Sequence, residues 1–162
     1  MFRPMRREKQ SLSLKECELI LESATSGVLA LSGDNDYPYA VPLSYVYTSG
    51  KIYFHCAKSG HKIDAISRNN KASFCVIAQD NVIPEKYTTY FKSIIVFGKI
   101  RILTNKNEKR SAIERLAEKY SPHINSEERK KAIDKDYAPL CMLELTIEHI
   151  SGKEAIELTK NK

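Results

Sequence analysis

The run Tyr53-Phe54-His55-Cys56-Ala57-Lys58-Ser59-Gly60-His61-Lys62-Ile63-Asp64 puts a thiol, two imidazoles, two ammonium groups and a hydroxyl into one passage of chain. Its first half reads as a short β-strand that breaks at Ser59-Gly60, and its second half opens a helix. A helix N-terminus has backbone N–H groups without partners and a partial positive charge. Ser59, Gly60, His61 and Lys62 at such a terminus make a compact cradle for a phosphate or carboxylate. The same residues also suit an ordinary turn with Ser59 as N-cap and two solvated cations. By alternation Ile52, Phe54 and Cys56 share one strand face, and Tyr53 and His55 the other. Cys56 therefore reads as a small buried hydrophobe rather than a nucleophile. His55 is a candidate ligand, acid–base group or core histidine, and its own neighbours do not choose among these.

The elements that must position this passage are legible around it. Ser13-Leu14-Lys15-Glu16 has the capping-box pattern, with Leu14, Cys17, Leu21 and Ala24 following at helical spacing, so a helix should end near Thr25. Val28 to Leu31 reads as a strand stopped by the turn signal Gly33-Asp34-Asn35-Asp36. Residues 39–47 alternate with period two as one long strand, and Pro42 inside it removes a ladder donor, which points to a sheet edge. A hairpin turn at Thr48-Ser49-Gly50-Lys51 leads into residues 52–56. The helix after the cradle should run to about Arg68, ended by Asn69-Asn70. Strands follow over 72–77 and 93–103, separated by a polar loop with Pro84, Tyr87, Tyr90 and Phe91. These aromatics would either line an apolar pocket or pack the loop. The first half of 93–103 is apolar on both faces, so core should cover one side and a ligand or partner subunit the other. Helices are expected over 106–120 and 126–135, and a closing strand over 140–147. The sum is a mainly β protein, about six antiparallel strands with peripheral helices, in a small barrel.

The bulk composition narrows function. The 162 residues suit one domain over 1–162, with an N-terminal arm at 1–12 and a C-terminal tail at 154–162. A net charge of +6 favours anionic partners mildly, but the cations are dispersed instead of forming a stripe interleaved with aromatics, so nucleic acid is not an expected partner. No pair among the four cysteines has metal or redox spacing, and the histidines add no tetrahedral set, so no metal is expected. No apolar run spans a bilayer, and a cytoplasmic setting with reduced thiols is the expectation. GxGxxG, P-loop and G-x-S-x-G motifs are absent, which removes support for a Rossmann unit, a P-loop and a serine-hydrolase elbow.

Three segments in order, Tyr37-Pro38-Tyr39-Ala40-Val41-Pro42-Leu43-Ser44-Tyr45, the 53–62 passage and Lys92-Ser93-Ile94-Ile95-Val96-Phe97-Gly98-Lys99, resemble the FMN-binding split barrel. The nearest likeness is the nitroimidazole-resistance branch of the pyridoxamine-phosphate-oxidase-like superfamily. Met5-Arg6-Arg7 and Ser151-Gly152-Lys153-Glu154 share that likeness. The resemblance implies a homodimer with FMN at the subunit interface and a small-molecule substrate. It implies that Val41, Pro42, Leu43 and Ser44 lie along the flavin ring, that His55 and Cys56 approach the ribityl chain and ring, that Gly60, His61 and Lys62 hold the phosphate, and that Ser93 hydrogen-bonds the cofactor. The oxidases proper carry Arg where Val41 and His61 stand here; loss of the first weakens the case for pyridoxamine phosphate as substrate, while His61 can still donate to a phosphate. The implied activity is an FMN-dependent oxidoreductase with a nitro-aromatic acceptor and His55 as the side-chain proton donor or substrate contact. The rival is a flavin or haem carrier or sensor without turnover, with His55, His123 or His149 as axial ligand.

Overall fold

The capping box at Ser13 forms: Ser13 N–H donates to Glu16 Oε2 at 2.7 Å and Glu16 N–H to Ser13 Oγ at 3.3 Å. Helix α1 thus covers Leu14–Ser23 and buries Cys17 and Leu21. The computed structural model describes residues 2–161. After α1 come strands β2 (Ser26–Ser32), β3 (Pro38–Ser44), β4 (Val46–Thr48) and β5 (Lys51–Ala57), then helix α2 (His61–Arg68). Strands β6 (Lys71–Ile83) and β7 (Thr88–Ile102), helices α3 (Lys106–Tyr120) and α4 (Ser126–Asp136), and strand β8 (Leu140–Glu154) complete the order. A short strand β1, Ser11–Leu12, precedes α1 and pairs with β8.

All pairings are antiparallel, and the sheet runs β3-β2-β6-β7-β8-β5-β4, with β3 brought back into contact with β5. Eight strands replace the six expected, for two local reasons, and a third difference lengthens two of the strands. The arm supplies β1. The long strand at 39–47 breaks at Tyr45, whose N–H donates to Tyr120 Oη at 3.0 Å while that hydroxyl donates back to Tyr45 O at 3.2 Å. A side chain from α3 has taken the ladder's place there. The polar loop around Pro84 is instead a ribbon: β6 and β7 stay paired out to Ile83↔Thr88, past a bulge at Ile77/Gln79, and turn at Pro84–Lys86. The β4–β5 hairpin is as its sequence predicts, with Ser49 and Gly50 both at positive φ.

Strand alternation sorts side chains into a core and an outer face. Tyr45, Phe54 and Phe74 are fully buried at the centre, with ring pairs edge-to-face at 4.9 and 5.1 Å. Burying one such ring contributes about 1.5–3 kcal/mol before packing. Ala65 and Ile66 of α2 join this core, so α2 is anchored by its second half while its first turn stays at the surface. On the outer face, a smaller cluster of Leu103, Ala112 and Met142 packs between α3 and the β5–β8 region, with Tyr53 against it.

Glu144 points into this covered part of the outer face and is 4% exposed. Burial would raise its carboxyl pKa, but hydrogen bonds from Arg101 Nε (2.8 Å) and Lys51 Nζ (3.1 Å) outweigh it and hold the pKa below the ordinary 4.5. A depressed folded pKa gives stabilisation that is complete above the ordinary carboxylate range and disappears as pH falls through the folded value. Glu144→Gln is therefore expected to cost about 1–3 kcal/mol near neutral pH. Urea unfolding across a pH series should show the gap between variant and native closing in acid; a gap constant with pH would reject the assignment.

Candidate functional site

The site begins with an uncapped helix. The N-cap of α2 is Gly60, not Ser59, and no side chain caps the first turn. Gly60 sits at φ 117°, a conformation L side chains rarely adopt, and a Cβ there would meet nothing within 4 Å. The turn thus projects bare backbone into open space, with only Ile63 and Asp64 N–H returning to Gly60 O. Lys62 is half-buried beside it.

Cys56 lies next to Lys62 and opposite Cys141 in the β5–β8 register. Burial, more than the neighbouring Cys141, pushes its pKa up to about 12, against a smaller downward pull from Lys62. It is held as a thiol, in keeping with a packing role.

His61 is the first residue of α2. Its ring stacks on Tyr39 at 4.0 Å between centroids, and Nε2 lies 3.7 Å from Asp34 Oδ2. Arg68 donates to Asp34 Oδ1 at 2.6 Å, the largest cause of the lowered Asp34 pKa. The His61–Tyr39 stack ties the start of α2 to β3, bringing together the cradle and the strand expected to follow the ring.

Strand β3 is the sheet edge that Pro42 foretold: it pairs with β2 alone, leaving its far row of backbone groups outside the ladder. Val41 and Leu43 turn inward and pack half-buried on the core, while Pro42 and Ser44 are exposed. Register carries the outward positions across the sheet. Pro42 faces Val28, Val28 faces Cys75, Cys75 faces Ile95 and Ile95 faces Ser151. One row over, Ser44 pairs Ser26, and Ser93 lies between Ile77 and Lys153. Pro42, Ser44 and Ser93 therefore share one outer face. It is apolar and largely open: Val28, Ile77 and Ile95 are 37%, 66% and 43% exposed, while Phe97, 39% exposed, has the Phe2 ring stacked on it at 5.6 Å.

His55 is not on that open area. It lies on the outer surface where α3 and α4 cover the sheet, lining a cavity of about 370 Å³ with Ile113, Ala117, Ile124, Arg129 and Ile133. His55 and Cys56 thus point to opposite sides of β5, and one subunit does not present both to a single ligand surface. Of the other histidines, His149 is stacked by Phe2 at 4.7 Å. Among the described residues no group of three or more His, Cys, Asp and Glu could hold a metal. No helix among them is long and apolar enough to cross a membrane.

Two features were not found from sequence. The Asp34–His61–Tyr39 arrangement joins a turn, a helix and a strand, and no sequence signal marked it. A lysine-lined cavity beside Lys58 draws on four separate segments and left no linear signal.

Residues 13–154 match the family model described as pyridoxamine 5'-phosphate oxidase. The chain belongs to that family. No curated protein matches it. Among solved structures, a putative 5-nitroimidazole antibiotic resistance protein from Bacteroides thetaiotaomicron superposes with a TM-score of 0.77 at 20% identity, over 89% of this chain and 86% of that one. A FAD-binding protein from Mesorhizobium loti gives 0.62 at 26% identity, over 90% and 97%. A FAD and haem binding protein from Mycobacterium smegmatis gives 0.74 at 21% identity, over 91% and 73%. Together with the sheet order, these likenesses establish the split-barrel fold.

Proposed function

We propose that this protein is an FMN-dependent oxidoreductase that takes an electron pair from a reduced nicotinamide or another donor and passes it to a small organic acceptor, a nitro-aromatic being the favoured class. The observation that carries this reading is the pairing of an uncapped α2 N-terminus with an unladdered edge strand, joined through the His61–Tyr39 stack. FAD binding is named for the Mesorhizobium and Mycobacterium neighbours, which share this fold.

The fit is chemical as well as positional. A flavin phosphate needs backbone N–H donors and one cation, which the first turn of α2 and Lys62 supply. The flat ring needs an apolar floor with peptide groups at its rim, which Pro42, Ser44 and the edge of β3 offer beside Val28. Ser93 is a hydroxyl on the same outer face. Flavin supplies the two-electron chemistry when bound, and the protein's task is to hold and orient it. The open face also needs a cover, and a second copy of the chain is the proposed one, giving a homodimer with flavin between subunits. His55 is proposed as the side chain that meets the substrate, from the cavity under α3 and α4.

An absorbance spectrum before and after FMN loading and desalting tests the reading. A retained flavin spectrum supports it; no flavin in either state overturns it, and a Soret band would assign haem instead. Within the site, Lys62→Ala is expected to weaken FMN at least tenfold, about 1.4 kcal/mol. Titration with unchanged affinity would remove Lys62 from the phosphate site.

A further inference from the structure

A cavity of about 450 Å³ opens where the β5–α2 turn, the end of β7, the first turn of α3 and the segment before β8 converge. Lys58, Lys106 and Lys109 line it, and no carboxylate does. Lys51, Lys92, Lys99, Arg101 and Arg110 each sit against a carboxylate. Among the described residues, Lys58, Lys106 and Lys109 have no such partner. Three cationic side chains on the wall of one hollow, with no carboxylate among them, make an anion the favoured occupant.

The rest of the wall suits an anion that carries an apolar body. Ile102, Leu103 and Leu140 line it, with the Tyr137 ring alongside. Lys109 is held in place there, its Nζ 3.3 Å from Tyr137 O and 4.2 Å from the ring centroid. The volume falls within the ~300–1,000 Å³ of small-ligand pockets.

Its position gives the hollow a meaning. Lys58 immediately precedes Ser59-Gly60, the start of the phosphate cradle. Cys141, which also lines the hollow, is the cross-strand partner of Cys56, whose thiol neighbours Lys62. The hollow therefore begins one strand away from the cradle. We propose that it is a second anion site, taking the phosphate of an adenine nucleotide that lies beyond the flavin's own phosphate. This inference rests on the flavin reading for its neighbour, though not for its own charge. The nucleotide is either the adenylate half of FAD or a separate nicotinamide dinucleotide, and the two share the chemistry that the lysines and apolar wall recognise.

The test is calorimetric titration of ADP into the full-length FMN-loaded protein, repeated with Lys106→Gln/Lys109→Gln. ADP should bind the native protein, and the double variant should lose at least tenfold in ADP affinity while FMN affinity stays unchanged. FAD binding tighter than FMN, together with loss of ADP binding in FAD-loaded protein, assigns the adenylate half of FAD. ADP binding that persists beside either flavin assigns a separate dinucleotide. No ADP binding at millimolar concentration, or equal binding by the double variant, overturns the site. If the protein takes up no FMN, the flavin reading fails separately, and the same titration on the unloaded protein decides the hollow by the same two criteria.

Discussion

Ile95→Glu is expected to yield a folded monomer that no longer retains flavin. Ile95 is 43% exposed and lies mid-sheet on the open outer face, in the row that runs from Pro42 through Val28 and Cys75 to Ser151. Its neighbours along β7, Ile94 and Val96, point into the core and are fully buried. The change therefore leaves the core untouched and acts on whatever covers the face. In the proposed dimer that cover is a second copy, and a carboxylate at Ile95 would be buried without a partner near Ile77 and Phe97. Uncompensated charge of this kind costs several kcal/mol. A micromolar dimer has only about 8 kcal/mol to lose. Sedimentation at micromolar concentration should show the native protein as a dimer and the variant as a monomer with a native circular dichroism spectrum. FMN affinity should fall about a hundredfold, ~2.7 kcal/mol, because half of the proposed site leaves with the partner. A native protein that is already monomeric, or a variant that stays dimeric, would reject this interface.

The parts of the molecule that could be read from sequence are those specified by adjacent residues. The Ser13–Glu16 box, the Ser49-Gly50 turn and the edge position of β3 each depend on a few side chains and their own backbone. The alternation that separates His55 from Cys56 is of the same kind, and it held even though the family resemblance placed both residues on one ligand. What escaped was set by distant partners. The break at Tyr45 depends on Tyr120, 75 positions away, and nothing in the 39–47 alternation marks it. The ribbon beyond Ile77 reads as loop because Asp80, Asn81 and Pro84 are poor strand formers, and their pairing comes only from the facing strand. In the site, the backbone part of the cradle was legible because Gly60 and the helix start are local. The aim of His61 was not, since Asp34 and Tyr39 reach it from another turn and strand.

The tightest of the glycine positions follows from such a distant contact. Gly98 lies at the β7–β8 irregularity, where pairing steps from Phe97↔His149 to Gly98↔Ile147. A Cβ on it would sit 2.0 Å from Thr146 O, 3.0 Å from Thr146 C and 3.2 Å from Leu145 Cδ1. The nearest obstacle is backbone in a paired strand, so no side-chain rotation relieves it; the two strands must separate. That opening would lie beside Ile100 and Leu145, both in the main core, and beneath Phe97 on the outer face. Overpacking in a core costs about 1–3 kcal/mol, and a clash fixed by backbone belongs at or above the top of that range. Gly98→Ala is therefore expected to lower the urea midpoint by the equivalent of about 3 kcal/mol with the denaturant slope unchanged. Gly50→Ala is the informative control. Gly50 has φ 77° but nothing within 4 Å of its Cβ, so only the left-handed backbone cost of roughly 1–2 kcal/mol applies. If both variants lost the same stability, the close approach of Gly98 to Thr146 would not be what holds β7 and β8 in register.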